Sequence, residues 1–133
     1  MRLVADANVL LSAVIGGRAK AVLEHSSITE VLTAETTLAE LREFAPQLAA
    51  KKRLPQETVI LAVASLPVTV VERAVFEKRI PEARRRIARR DPDDVELLAL
   101  ALHTGAPVWS NDNDFEDAGV EWCTTAALLA KLT

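Results

Sequence analysis

Tyrosine is missing from the 133 residues, cysteine occurs once, and aromatic residues make up only 4% of the chain. Each scarcity narrows what the protein does. The lone thiol, Cys123, can form no internal disulfide, and no Cys/His cluster has zinc-site spacing, so a disulfide-stapled scaffold is excluded and a reducing, cytoplasmic setting is expected. Long apolar runs are also lacking. The longest, such as Val59 to Leu66, fall far short of the roughly 20 residues that span a bilayer, so no membrane association is expected. Arg2 and the run from Val9 to Ile15 have the cast of a signal peptide, but Asp6 and Asn8 interrupt it early, and no export is read. Nor is there an excess of positive charge. Sixteen basic against nineteen acidic residues leave a net charge of -3, which argues against coating nucleic acid by bulk charge.

What is present is apolar patterning. Half of the residues are hydrophobic, enough for one sizeable core, and with neither repeats nor low-complexity linkers a single domain over 1–133 is expected. Leu3 to Ala5 reads as a short buried strand, followed by a helix from Asn8 to Gly16-Gly17 and a second from Ala19 to His25. Strand EVLTA (30–34) precedes a long helical segment with a kink expected at Pro46, and Pro55 opens another helix. Val68 to Val71 is β-branched throughout, a third strand. The most apolar helix starts at Asp91-Pro92 and stops at Gly105. Pro107 to Ser110 and Val120 to Cys123 are further strands, and a helix over 125–132 closes the chain. This alternation predicts an α/β fold: a three-layer α/β/α sandwich around a parallel sheet of four to five strands. In such sheets ligands gather at the carboxyl ends of the strands.

That edge collects acids. Asp6 follows the first strand, and Asp112 and Asp114 follow the fourth, although a turn rich in Asn and Asp explains the latter pair as well. Asp94 lies in helical phase with Leu97, Leu98 and Ala101, on the apolar face. Asp91-Pro92-Asp93-Asp94 also reads as an N-cap, an N1 proline and acids in the first turn. Capping accounts for Asp91 and Asp93, but it does not require a third acid to point among leucines, where an ionised carboxylate needs a cation or donors. In the long helix, Leu38, Leu41, Phe44, Ala45 and Leu48 set the apolar stripe. Glu40 falls on its border and Glu43 nearly opposite. Carboxylates crowded at one rim repel, and protons or cations must resolve that repulsion; hard divalent ions such as Mg²⁺ or Mn²⁺ take oxygen ligands. One or two such ions activate water and stabilise the leaving oxygen of a phosphodiester.

Four motifs in this order, DANVLLSA, LAELREF, DPDDVELLALAL and SNDNDF, resemble those of PIN-domain ribonucleases, including the VapC-like toxins of toxin–antitoxin modules. The resemblance covers nearly the whole chain. It implies that Asp6, Glu40, Asp94 and Asp112 form an acidic quartet around Mg²⁺ or Mn²⁺ with Asp114 as an additional acid. It also implies that Asn8 supports the first acid by hydrogen bonding, and that Ser110 is the small hydroxyl before the last acids. Family members cleave single-stranded regions of RNA by metal-assisted hydrolysis, the toxins are silenced by a small antitoxin protein, and dimers are common. One departure is Asn111, where glycine is frequent.

The run RRRIARR offers Arg84, Arg85, Arg86, Arg89 and Arg90 to track an RNA backbone, though a solvated helix face is the commoner explanation of a charge run. His25 and His103 read as surface residues. Two other functions fit parts of the pattern. A phosphohydrolase of the haloacid-dehalogenase type also places an aspartate after strand one, but its second acid falls where this chain has Asn8. A non-catalytic interaction module with the same fold has no physical reason to keep several repelling acids at one rim.

Overall fold

The computed structural model describes residues 1–87 and 89–132; Ala88, inside the basic run, and Thr133 lie outside the described residues. Strands β1 (Arg2–Ala5), β2 (Glu30–Ala34), β3 (Thr69–Val71), β4 (Val108–Trp109) and β5 (Trp122–Cys123) form one sheet in the order β3-β2-β1-β4-β5. Every neighbouring pair is parallel. The chain therefore builds one side of β1, then crosses back to build the other. Between β1 and β4 the direction of winding reverses, and the crevice beyond the strand ends at such a switch point is where open α/β sheets bind ligands.

In chain order the helices are α1 (Ala7–Val14), α2 (Arg18–Glu24), α3 (Glu35–Lys52), α4 (Gln56–Ala64), α5 (Arg73–Phe76), α6 (Ile80–Ile87), α7 (Val95–Thr104) and α8 (Thr125–Leu132). The period of two along each strand divides them into two layers. Leu3, Ala5, Val31, Trp109 and Cys123 bury against α1 to α4 and α8. Val4, Leu32, Ala34 and Val108 bury against α5, α6 and α7. The result is the three-layer sandwich that the alternation predicts.

Local chemistry sets the element ends. Gly105 takes a left-handed conformation (φ 73°) that stops α7 while its N–H caps the Ala101 carbonyl. α3 runs from Glu35 to Lys52 with Pro46 inside it, where a kink is expected, and ends at Arg53 in the left-handed region. Between β3 and α6, α5 and a 3-10 turn over Glu77–Arg79 fill a stretch without helical periodicity, anchored by buried Phe76. Among the described residues no helix is long and apolar enough to cross a membrane.

Candidate metal centre

Asp6 leaves β1 at the switch point and starts α1 as its N-cap. Its Oδ1 accepts the Val9 N–H at 2.9 Å, and its Oδ2 accepts the Ser110 hydroxyl. Only 6% exposed, this carboxylate is fixed on both oxygens. Ser110, fully buried just past β4, turns the same hydroxyl oxygen to the Asp112 N–H at 3.0 Å, so one side chain ties the acid of β1 to the acid of β4. Asp112 in turn caps the 3-10 turn over Asn113–Phe115 through the Asp114 N–H at 3.1 Å.

The loop is held from behind. The Trp122 indole N–H donates to the Ser110 carbonyl at 2.8 Å, and Asn111 Oδ1 accepts the Thr125 N–H at 2.8 Å where α8 begins. The departure from glycine at 111 thus supplies an acceptor for an otherwise orphan helix amide.

Across the crevice, a 3-10 turn over Pro92–Asp94 leads into α7, with Asp91 as its cap accepting the Asp93 N–H at 2.9 Å. Asp94 is half-buried beside Leu97. From α3, Glu40 faces the same space. A cavity of about 430 Å³ is lined by Asp6, Glu40, Asp94 and Asp112 together with Asn8. It brings in residues that pattern assigned elsewhere. Asp91 and Asp93, accounted for by capping, line it, as does Glu43, whose helical phase pointed to solvent. Phe44, expected in the apolar stripe of α3, is 42% exposed at its rim; the buried positions of that helix are Thr37, Leu41, Ala45 and Ala49.

Asn8 supports Asp6 through its backbone N–H, while its side chain is exposed; the side-chain support comes from Ser110. Asp114 lies beside the cavity, where its carboxylate oxygens approach those of Asp91 and Asp94, all three within 4.8 Å of one another.

The electrostatics follow from this crowding. Burial pushes the Asp94 carboxyl up to about 8, and the charges of Asp91, Asp6, Asp114 and Asp112 add to it. Asp6 is raised by burial, which outweighs its hydrogen bonds from Ser110 and the Val9 N–H. Glu40 is raised by burial and then by Asp93, Asp91 and Asp6, and Asp114 by desolvation and Asp112, partly offset by Arg90. Such a group keeps protons or takes a cation. The donor set is carboxylate oxygen, with no histidine or cysteine lining the cavity among the described residues, which fits a divalent metal ion.

The profile for the PIN domain matches residues 4–133. The chain belongs to the PIN domain family. Among solved structures, this PIN domain is similar to VapBC2 from Rickettsia felis bound to a DNA fragment from their promoter (TM-score 0.72, 14% identity, 93% of this chain and 98% of that one). It is similar also to VapBC-1 from nontypeable Haemophilus influenzae (0.69, 17%, 95% and 99%). A third likeness is to VapC20 of Mycobacterium tuberculosis, a sarcin-ricin loop cleaving toxin (0.60, 22%, 90% and 96%). No curated protein matches this PIN domain by sequence at a significant level.

The basic run divides. Arg86 donates to Glu82 at 2.7 Å and to the Ala118 carbonyl at 2.8 Å, and Arg90 pairs with Asp114 at 3.5 Å and Asp117 at 3.6 Å. These two are engaged in the fold. Arg84, Arg85 and Arg89 are exposed.

Proposed function

We propose that residues 1–133 form one PIN domain acting as an endoribonuclease that hydrolyses phosphodiester bonds in single-stranded RNA, with Asp6, Glu40, Asp94 and Asp112 holding Mg²⁺ or Mn²⁺ and Asp91 and Asp114 completing the acidic wall. One observation carries this reading: acids from the end of β1, α3, the start of α7 and the β4 end meet in one cavity at the sheet's switch point, with oxygen as the ligand type among the described residues. When bound, the one or two cations supply a Lewis acid and lower the pKa of a coordinated water.

The chain's own residues do the rest. Ser110 and the Val9 N–H fix both oxygens of Asp6, so the carboxylate is oriented before any ligand arrives. No side chain in the cavity is built as a nucleophile. The Ser110 hydroxyl is buried and already donates to Asp6, and Cys123 lies in the core. The haloacid-dehalogenase alternative lacks its second acid, since that position is Asn8.

The likeness to VapBC structures and to a sarcin-ricin loop cleaving toxin supports a further assignment, the toxin of a toxin–antitoxin pair silenced by a small antitoxin protein; we further infer that it works in the cytoplasm as a homodimer. The test is cleavage of generic single-stranded RNA with Mg²⁺ or Mn²⁺ and a chelator control. Cleavage abolished by the chelator is expected. Absence of cleavage across broad substrates, alongside tight partner binding, would instead identify a non-catalytic interaction module.

A further inference from the structure

The acidic cavity does not end at its own walls. Glu40 and Asp93 also line a second hollow of about 480 Å³, whose far side carries Arg73 and Arg84. Asn8 and Phe44 also line a third, of about 220 Å³, that reaches Lys51. The three share borders, and the acids occupy the middle.

The flanking side chains are suited to a polyanion. Arg73 is held by Glu96 at 3.3 Å, and Glu96 accepts the Thr36 hydroxyl at 2.6 Å, so that cation is already matched. Among the described residues, neither Arg84 nor Lys51 has a carboxylate within ion-pair distance. Between the acids and Lys51, Phe44 presents an exposed ring. Glu40, Phe44 and Lys51 run along one side of α3, and eleven residues at 1.5 Å each separate the first from the last by about 16 Å. A single strand needs these features in this order: a cation on each side of a metal site that is itself repulsive to phosphate, and an aromatic face for a base.

We propose that an RNA strand crosses the acidic cavity from the Arg84 hollow to the Phe44–Lys51 hollow, its flanking phosphates held by Arg84 and Lys51 and one base stacked on Phe44. This path rests on the nuclease reading above.

The test is binding of a labelled single-stranded RNA to the full chain over a salt series, with Ca²⁺ replacing Mg²⁺ to slow turnover, alongside Mg²⁺-dependent cleavage by the wild type. Arg84→Ala and Lys51→Ala are each expected to weaken binding about 3- to 10-fold and to lower the salt slope by about 0.7, the increment for one phosphate contact on a single strand. Phe44→Ala is expected to weaken binding about 5-fold or more with the slope unchanged, and Phe44→Trp to restore it. Lys20→Ala, on α2 and outside the lining of all three hollows, leaves both quantities at the wild-type value. Because all three tested side chains are exposed, folding is expected to survive, and Arg84→Lys retains the charge as a second check. If wild-type protein cleaves RNA while Arg84→Ala, Lys51→Ala and Phe44→Ala bind it normally, the path is wrong and the nuclease reading stands. Variants that bind RNA normally but lose a co-purifying protein would assign this strip to protein docking and equally overturn the path. Wild-type protein that neither binds nor cleaves RNA overturns both.

Discussion

The Ser110 hydroxyl donates to Asp6 and accepts the Asp112 N–H at 3.0 Å, joining the acids at the ends of β1 and β4 through one buried oxygen. Ser110→Ala leaves a buried carboxylate oxygen and an amide without partners, a loss of about 1–3 kcal/mol in urea unfolding. Because the lost contact orients an acid proposed to hold the cation, cation affinity or cleavage should fall about 10- to 100-fold. Ser110→Thr should recover most of both.

Asp91 has two duties that substitution can separate. Asp91→Asn keeps a side-chain acceptor for the Asp93 N–H and removes one charge from the acidic wall. Stability should change little while Mg²⁺ affinity, measured by titration, weakens. Asp91→Ala loses the cap as well, a further cost of about 1 kcal/mol.

In the presence of a chelator, stability should depend on pH in the direction opposite to that of a salt-bridged carboxylate. The ordinary aspartate value is 3.8, whereas the folded chain holds Asp94 at about 8 and also raises Asp6 and Glu40. Between those limits the folded state binds more protons than the unfolded one, so stability falls as pH rises. Divalent ions displace these protons, and their affinity should therefore climb over the same range. Thermal melts of the chelated protein check the first statement, with Asp94→Asn flattening the profile, and metal titrations check the second.

Gly119 faces Arg86 across the loop after β4. Its φ is +75°, and a Cβ there would lie 2.5 Å from Arg86 Nη1, which is committed to the Ala118 carbonyl. Gly119→Ala combines left-handed strain with displacement of that guanidinium. A loss of about 1–2 kcal/mol is expected, read as a lower urea midpoint.

These residues also mark what sequence carries and what it does not. Asp6, Asp94 and Asp112 were legible because strand ends in a parallel sheet share one edge and because a helical phase that buries an acid demands a reason. Glu40 followed from its place on the border of the α3 stripe. Asp91 was obscured by a sufficient explanation: one capping bond uses a single lone pair of a carboxylate that has several, so a cap can also line the acidic cavity, as Asp6 does. Phe44 was misassigned because the 18-residue α3 buries only the narrow row Thr37, Leu41, Ala45 and Ala49, and the ring falls beyond it. The division of the arginines was illegible, since Asp114, Asp117 and the Ala118 carbonyl reach Arg90 and Arg86 only through the fold.

The central claim is that the carboxylates at the β1/β4 switch point would hold a divalent ion on which RNA hydrolysis by this chain depends. Single-turnover cleavage of single-stranded RNA by Asp94→Asn, with Mg²⁺ saturating and folding verified by thermal melt, tests it most directly. A rate at least about 100-fold below wild type is predicted, in line with removal of a transition-state charge contact. Cleavage at the wild-type rate, or activity undiminished by a chelator, would contradict it.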